Sequence, residues 1–113
     1  MWGINRGAGT ARFTAVGLTG VLFDAVVVAR PDGTGQVTDL TSGAAPAVTT
    51  LPPGSVTLSG PSLTVRVAAS LLPTQGLAPT AYTVNLWPRL PGDNSQLADF
   101  APNNSNAPVR TIP

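Results

Sequence analysis

The run Leu22-Phe23-Asp24-Ala25-Val26-Val27-Val28-Ala29-Arg30, closed by Pro31-Asp32-Gly33 and followed by Thr34 to Leu40, has the pattern of two paired β-strands. Alternation puts Val21, Phe23, Ala25, Val27 and Ala29 on one face and Leu22, Asp24, Val26, Val28 and Arg30 on the other. Both faces are largely apolar, which predicts a strand covered on both sides and therefore central in its sheet. Pro31 presets φ while Asp32 and Gly33 accept turn geometry, so Thr34 to Leu40 reads as the hairpin partner.

Working outward, Arg12 to Val16 is the strand before this run. Thr41 to Gly54, with Pro46 and Pro52-Pro53-Gly54 and little periodicity, reads as a long loop over one edge. Val56 and Leu58 alternate with Ser55, Thr57 and Ser59, and Gly60-Pro61 turns the chain into Leu63 to Val67, a second hairpin. Ala69 to Leu72 suits one helical turn before Pro73, and Thr80 to Trp87 resumes the alternation. Pro88 to Asn94 and Asn103 to Asn106 are turns, Gln96 to Ala101 a short strand, and Val109 to Ile112 a terminal edge strand or linker. The expected fold is all-β, an antiparallel β-sandwich of about 6–8 strands. It forms a single domain over residues 1–113, with 1–10 and 103–113 as candidate arms or linkers.

His, Cys, Lys and Glu are all absent, and only 10% of the residues are charged, with a formal net charge of +1. The arginines, Arg6, Arg12, Arg30, Arg66, Arg89 and Arg110, are scattered, so no basic patch for nucleic acid is expected. Asp24 sits near the middle of the most apolar stretch, Phe13 to Ala29, at a cost of about 2.5–3.5 kcal/mol for membrane insertion. With Gly17, Gly20 and the valine run it predicts strands and no membrane insertion.

A Ser or Thr nucleophile would need a base, and neither His nor Lys is present, so no enzyme is expected. Asp32-Gly33-Thr34-Gly35 is a near miss of the Asp-Thr-Gly of small aspartic proteases; its interposed glycine displaces the hydroxyl that must support the carboxylate. Asp24, Asp32, Asp39, Asp93 and Asp99 are the remaining carboxylates for hydrolytic chemistry, and none has a recognisable catalytic context. Calcium is the one inorganic ligand whose chemistry the composition suits, with Asp32, Asp39, Asp93 and Asp99 as candidate oxygen donors; the bland reading is aspartate as a turn former. No other cofactor is expected.

Trp87 is opposite in phase to Tyr82, Val84 and Leu86. It either faces solvent as a sugar platform, with Tyr82, Asn85 and Arg89 completing a binding site, or closes the end of the core. Leu63 to Pro73, then Tyr82 to Arg89, then Asp99-Phe100-Ala101-Pro102 resemble the later strands of β-sandwich modules in secreted bacterial proteins, of the carbohydrate-binding and DOMON-like kind. The resemblance implies a secreted or cell-surface protein that binds rather than transforms. Haem-binding DOMON-like members use His and Met, and here only Met1 remains, so haem is not implied. The expected function is a non-catalytic extracellular structural or adhesive module acting through strand pairing, with a protein partner or a second copy, using Ala11 to Ala29 or the apolar C-terminal tail. The alternative is a carbohydrate-binding module using Trp87 and Tyr82, with a glycan as partner.

Overall fold

The computed structural model describes residues 1–43, 45–89, 99 and 101–109. Among them the chain forms β1 (Trp2–Asn5), β2 (Thr10–Phe13), β3 (Leu18–Phe23), β4 (Ala25–Ala29), β5 (Gly35–Asp39), β6 (Ala47–Thr50), β7 (Val56–Ser59), β8 (Ser62–Val65), β9 (Thr83–Leu86) and β10 (Ala107–Pro108). Three single 3-10 turns interrupt them, at Thr14–Val16, Ala69–Leu71 and Pro79–Ala81. The fold is all-β and antiparallel: a six-stranded sheet in the order β10-β9-β1-β4-β5-β6 and two hairpins, β2-β3 and β7-β8. No described helix is long and apolar enough to cross a membrane.

Alternation explains the layering. Trp2 lies opposite Val27, and Val27 opposite Val37, so Trp2, Ile4, Ala25, Val27, Val37 and Val84 share one face of the large sheet. They pack with Leu51 and Tyr82 against Val65, Val67, Leu71, Leu72 and Leu77, which come from β8 and the segment after it. On the opposite face, Val26 packs with Trp87 against Phe13, Leu18, Val21 and Phe23 of the β2-β3 hairpin. β4 is therefore central and covered on both sides, as its uninterrupted apolar pattern predicts.

Several local expectations are corrected. The run 22–30 is not one strand: it breaks at Asp24, sending β3 into the hairpin and β4 into the large sheet. Its partner breaks at the same level, because residues 6–9 separate β1 from β2. Here the Asn5 side-chain carbonyl accepts the amides of Gly7 and Gly9 at 3.0 Å each. A long two-stranded ribbon thus folds over so that its outer half covers its inner half. Residues 1–10 are accordingly not an arm, since β1 sits between β9 and β4 in mid-sheet. The strand expected at 12–16 is β2, Thr10–Phe13, followed by a 3-10 turn at Thr14–Val16, and the expected loop 41–54 contains the edge strand β6. Of the C-terminal segment, Ala107 and Pro108 pair with Val84 and Thr83. The Val109 amide donates to the Tyr82 carbonyl at 2.8 Å. Most of the expected strand 96–101, and residues 110–112, lie outside the described residues.

Candidate functional site

Three of the four residues expected to hold a ligand are interior. Trp87 is 2% exposed, Tyr82 6% and Asn85 0%, so none offers a stacking surface, and the sugar-platform expectation is corrected. Gly3 explains why the indole turns inward. A Cβ at that position would lie 2.8 Å from Trp87 Cζ2, so only glycine leaves the slot in β1 that the ring fills. Phe13 and Phe23 meet the indole edge to face, with centroids 5.4 and 4.6 Å away. Trp87 Nε1 donates to Asn85 Oδ1. Asn85 Nδ2 donates to the carbonyls of Pro102 at 2.6 Å and Ser105 at 2.8 Å, pinning the loop 102–106 to β9. The Tyr82 hydroxyl donates to the Leu72 carbonyl at 3.0 Å, and Arg89 Nη1 donates to Met1 Sδ at 3.2 Å. Trp87, Asn85 and Tyr82 close the core.

Among the described residues the candidate calcium ligands do not converge either. Asp32 Oδ1 accepts the Thr34 amide at 2.9 Å and the Thr34 hydroxyl at 2.6 Å, and these two bonds hold its carboxyl below the usual range. Asp39 belongs to an ion-pair cluster. Asp99 is exposed, Asp93 lies outside the described residues, and no group of three acidic residues gathers among those described.

The principal buried polar constellation was not anticipated from the sequence. Arg6, 0% exposed, sits where the ribbon folds over. Its Nε donates to Asp24 Oδ1 at 2.6 Å and its Nη2 to Asp39 Oδ1 at 3.0 Å. Its Nη1 donates to the Pro73 carbonyl at 3.1 Å and Asp39 Oδ2 at 3.4 Å, and Nη2 also reaches the Asp24 carbonyl at 3.4 Å. Every N–H of the guanidinium fork therefore has an acceptor. Asp24 Oδ2 accepts the amides of Arg6 and Ala8 at 2.9 and 3.0 Å. The cluster joins the end of β1, the β3-β4 break, the end of β5 and the segment before Tyr82. It is saturated with internal partners, which makes it a fastener for the fold.

Burial opposes ionisation of Asp39, but the Thr41 hydroxyl and amide and the Arg6 guanidinium outweigh it and hold the carboxyl below its ordinary value. A depressed folded-state value stabilises the fold above the unfolded value of about 3.9 and loses that contribution as pH falls through the folded value. The urea-unfolding free energy is therefore expected to drop as pH falls below about 4. Asp39→Asn should flatten that drop; equal slopes for both chains would remove Asp39 as its source.

What the surface does present is an edge. β6 is the outermost strand of the large sheet, every residue of it is exposed, and Val48 is 58% exposed. The Leu51 amide donates to the Gly35 carbonyl at 2.9 Å, so Thr49 and Ala47 face β5 in the bonded pairs. The amides and carbonyls of Val48 and Thr50 consequently point outward. No described strand pairs with that side, and no ionisable side chain occurs between Asp39 and Arg66. Natural sheets normally blunt such an edge with charge, proline or a covering segment; here Pro46 and Pro52 bound the four-residue strand, and Val48 and Thr50 remain its outward donors. The opposite end of the molecule shows the covering device: Asn104 Oδ1 accepts the Gly20 amide at 2.7 Å, and the Asn106 side-chain amide takes up both the amide and carbonyl of Leu22. Beside β6 lies a groove of about 510 Å³ lined by Thr49, Thr50, Pro52, Ser55 and Arg66, among others.

No protein-family model, curated protein or solved structure matches this chain.

Proposed function

We propose that this chain is a non-catalytic structural or adhesive module of a secreted or cell-surface protein, and that it works by accepting an extended strand along β6. The observation that carries the reading is the uncharged β6, whose outer side no described strand pairs with, and the outward-facing backbone groups of Val48 and Thr50. Strand addition takes its affinity from main-chain hydrogen bonds, which suits a module whose side chains are chiefly apolar or small and polar. The strands within Ala11 to Ala29, expected from sequence to recruit a partner, pair with one another or within the large sheet. β10, the other edge of that sheet, pairs with β9 and turns Pro108, which has no N–H, to its outer side, so β6 is the edge of the large sheet that offers outward donors.

A short acetylated, amidated Thr-Val-Thr-Val-Thr peptide tests the proposal. Titrated into the protein, it should shift the amide resonances of Val48 and Thr50 and slow their hydrogen exchange. Val48→Pro removes one outward donor while sparing the bonds to β5, and should weaken binding roughly tenfold, the loss of one net hydrogen bond. Unchanged resonances at saturating peptide would defeat the proposal.

A further inference from the structure

We infer that the strand which β6 accepts is an acidic segment of another protein, with a carboxylate side chain on the groove face of the sheet, where Arg66 receives it. This rests on the proposal that β6 is the docking edge and goes further in naming the partner's chemistry. Alternation gives the two faces of β6 different surroundings. Thr49 lies opposite Val37 and shares its face, the one covered by β8 and the segment after it, whereas Val48 lies opposite Thr38 on the other face. The groove of about 510 Å³ runs between β6 and the base of the β7-β8 hairpin, where the Arg66 amide donates to the Ser55 carbonyl at 2.8 Å. A strand added along β6 alternates in step with it, so the side chain set opposite Thr49 points to the groove face. Its neighbours in sequence point the other way, beside the exposed Val48.

Arg66 makes the groove face selective. It is the only charged residue between Asp39 and Arg89. The other described arginines spend their guanidinium groups within the chain: Arg6 on Asp24 and Asp39, Arg12 over the Phe23 ring at 5.4 Å, Arg30 on Gln36 Oε1 at 2.9 Å and Arg89 on Met1 Sδ at 3.2 Å. The Arg66 side chain has no ion pair, hydrogen bond or ring contact among the described residues. Asp24 and Asp39 are committed to Arg6, and Asp32 to Thr34. The remaining polar lining of the groove is hydroxyl, from Thr49, Thr50, Ser55 and Ser70. A free cation flanked by hydroxyl donors, with no anion in the lining, complements a carboxylate, which the guanidinium fork can bind through two parallel hydrogen bonds. A basic side chain at the same place would meet like charge. Because Arg66 is exposed, the pairing is screened and governs the choice of partner more than the strength of binding.

Two acetylated, amidated peptides, Thr-Val-Glu-Val-Thr and Thr-Val-Gln-Val-Thr, differ in charge and little else. Titrated against the Val48 and Thr50 amide resonances at low salt, the Glu peptide should bind about threefold tighter, the scale of one exposed ion pair. That advantage should fade as salt rises to about 1 M. Arg66→Ala should erase it while leaving the affinity for the Gln peptide unchanged, and Arg66→Glu should reverse it, favouring Thr-Val-Lys-Val-Thr over the Glu peptide. Arg12→Ala removes the same charge from the β2-β3 hairpin and should keep the advantage, which separates pairing at the groove from attraction by net charge. Equal affinity of the parent chain for the Glu and Gln peptides, or a Glu advantage that survives Arg66→Ala or disappears in Arg12→Ala, overturns the inference. If both peptides shift the β6 amides equally, strand addition stands and the acidic partner falls; if neither shifts them, both readings fall together.

Discussion

Arg6→Ala is expected to lower the unfolding free energy by about 3–5 kcal/mol, the cost of removing one partner from a buried ion pair. The corresponding fall in Tm is roughly 10–25 °C for a chain of this size. The loss comes mainly from what is left behind. Asp24, 1% exposed, keeps its two backbone donors but loses the guanidinium that balances its charge. The Pro73 carbonyl and Asp39 lose a donor as well. Arg6→Lys should recover only part of the stability, because an ammonium cannot satisfy a planar set of acceptors spread over three chain segments. Arg66→Ala on the exposed surface is the control and should stay within about 0.5 kcal/mol of the parent. A double-mutant cycle with Asp39→Ala should show strong coupling; simple additivity would mean that Arg6 does not link β5 to the bend. The large cost of truncation does not make the ion pair a net source of stability, since a well-packed apolar replacement of the whole cluster can be neutral. What the cluster supplies is geometry: it holds the ribbon at one bend, with β2-β3 over one face of the sheet and the segment before Tyr82 over the other.

The β4-β5 and β7-β8 hairpins were legible from sequence because each is local, with alternating residues meeting at a turn whose glycine has positive φ, Gly33 or Gly60. The break at Asp24 was not, because alternation runs through it without a change of phase. A strand pattern reports which way side chains point, and it stays silent about which sheet each half joins. The only local sign was a carboxylate amid apolar residues, and its partner Arg6 lies eighteen positions away. β1 was missed for a related reason. It is four residues long, contains a glycine, and pairs with β9 at the far end of the chain, as Trp2 with Leu86, so nothing nearby marks it as central. β6 was hidden by its flanking prolines, which read as a loop although neither interrupts the four-residue strand. The candidate site failed along the same line: the phase of Trp87 was correct, but its opposite face is covered by a hairpin whose arrival depends on the bend at Asp24.

Trp87→Ala is the second large effect, an expected loss of about 3–5 kcal/mol from the cavity left by the ring. That figure assigns the indole to the core, whereas a sugar platform facing solvent would lose affinity and keep its stability. Trp87→Phe separates packing from polarity. It retains most of the aromatic volume against Phe13 and Phe23 but removes the donor to buried Asn85 Oδ1, an expected cost of about 1–3 kcal/mol. Gly3 supplies the stricter test. In the parent chain a methyl group at Gly3 collides with Trp87 Cζ2 at 2.8 Å, so Gly3→Ala should destabilise by overpacking. Without the indole the same methyl enters space that is already empty, and in the double variant the two losses should fall short of their sum by about 0.5–3 kcal/mol. Strict additivity in urea unfolding would mean that β1 and Trp87 do not touch. The hairpin β2-β3 would then lack the packing that seats it, and the double-faced burial of the central sheet would have to be abandoned.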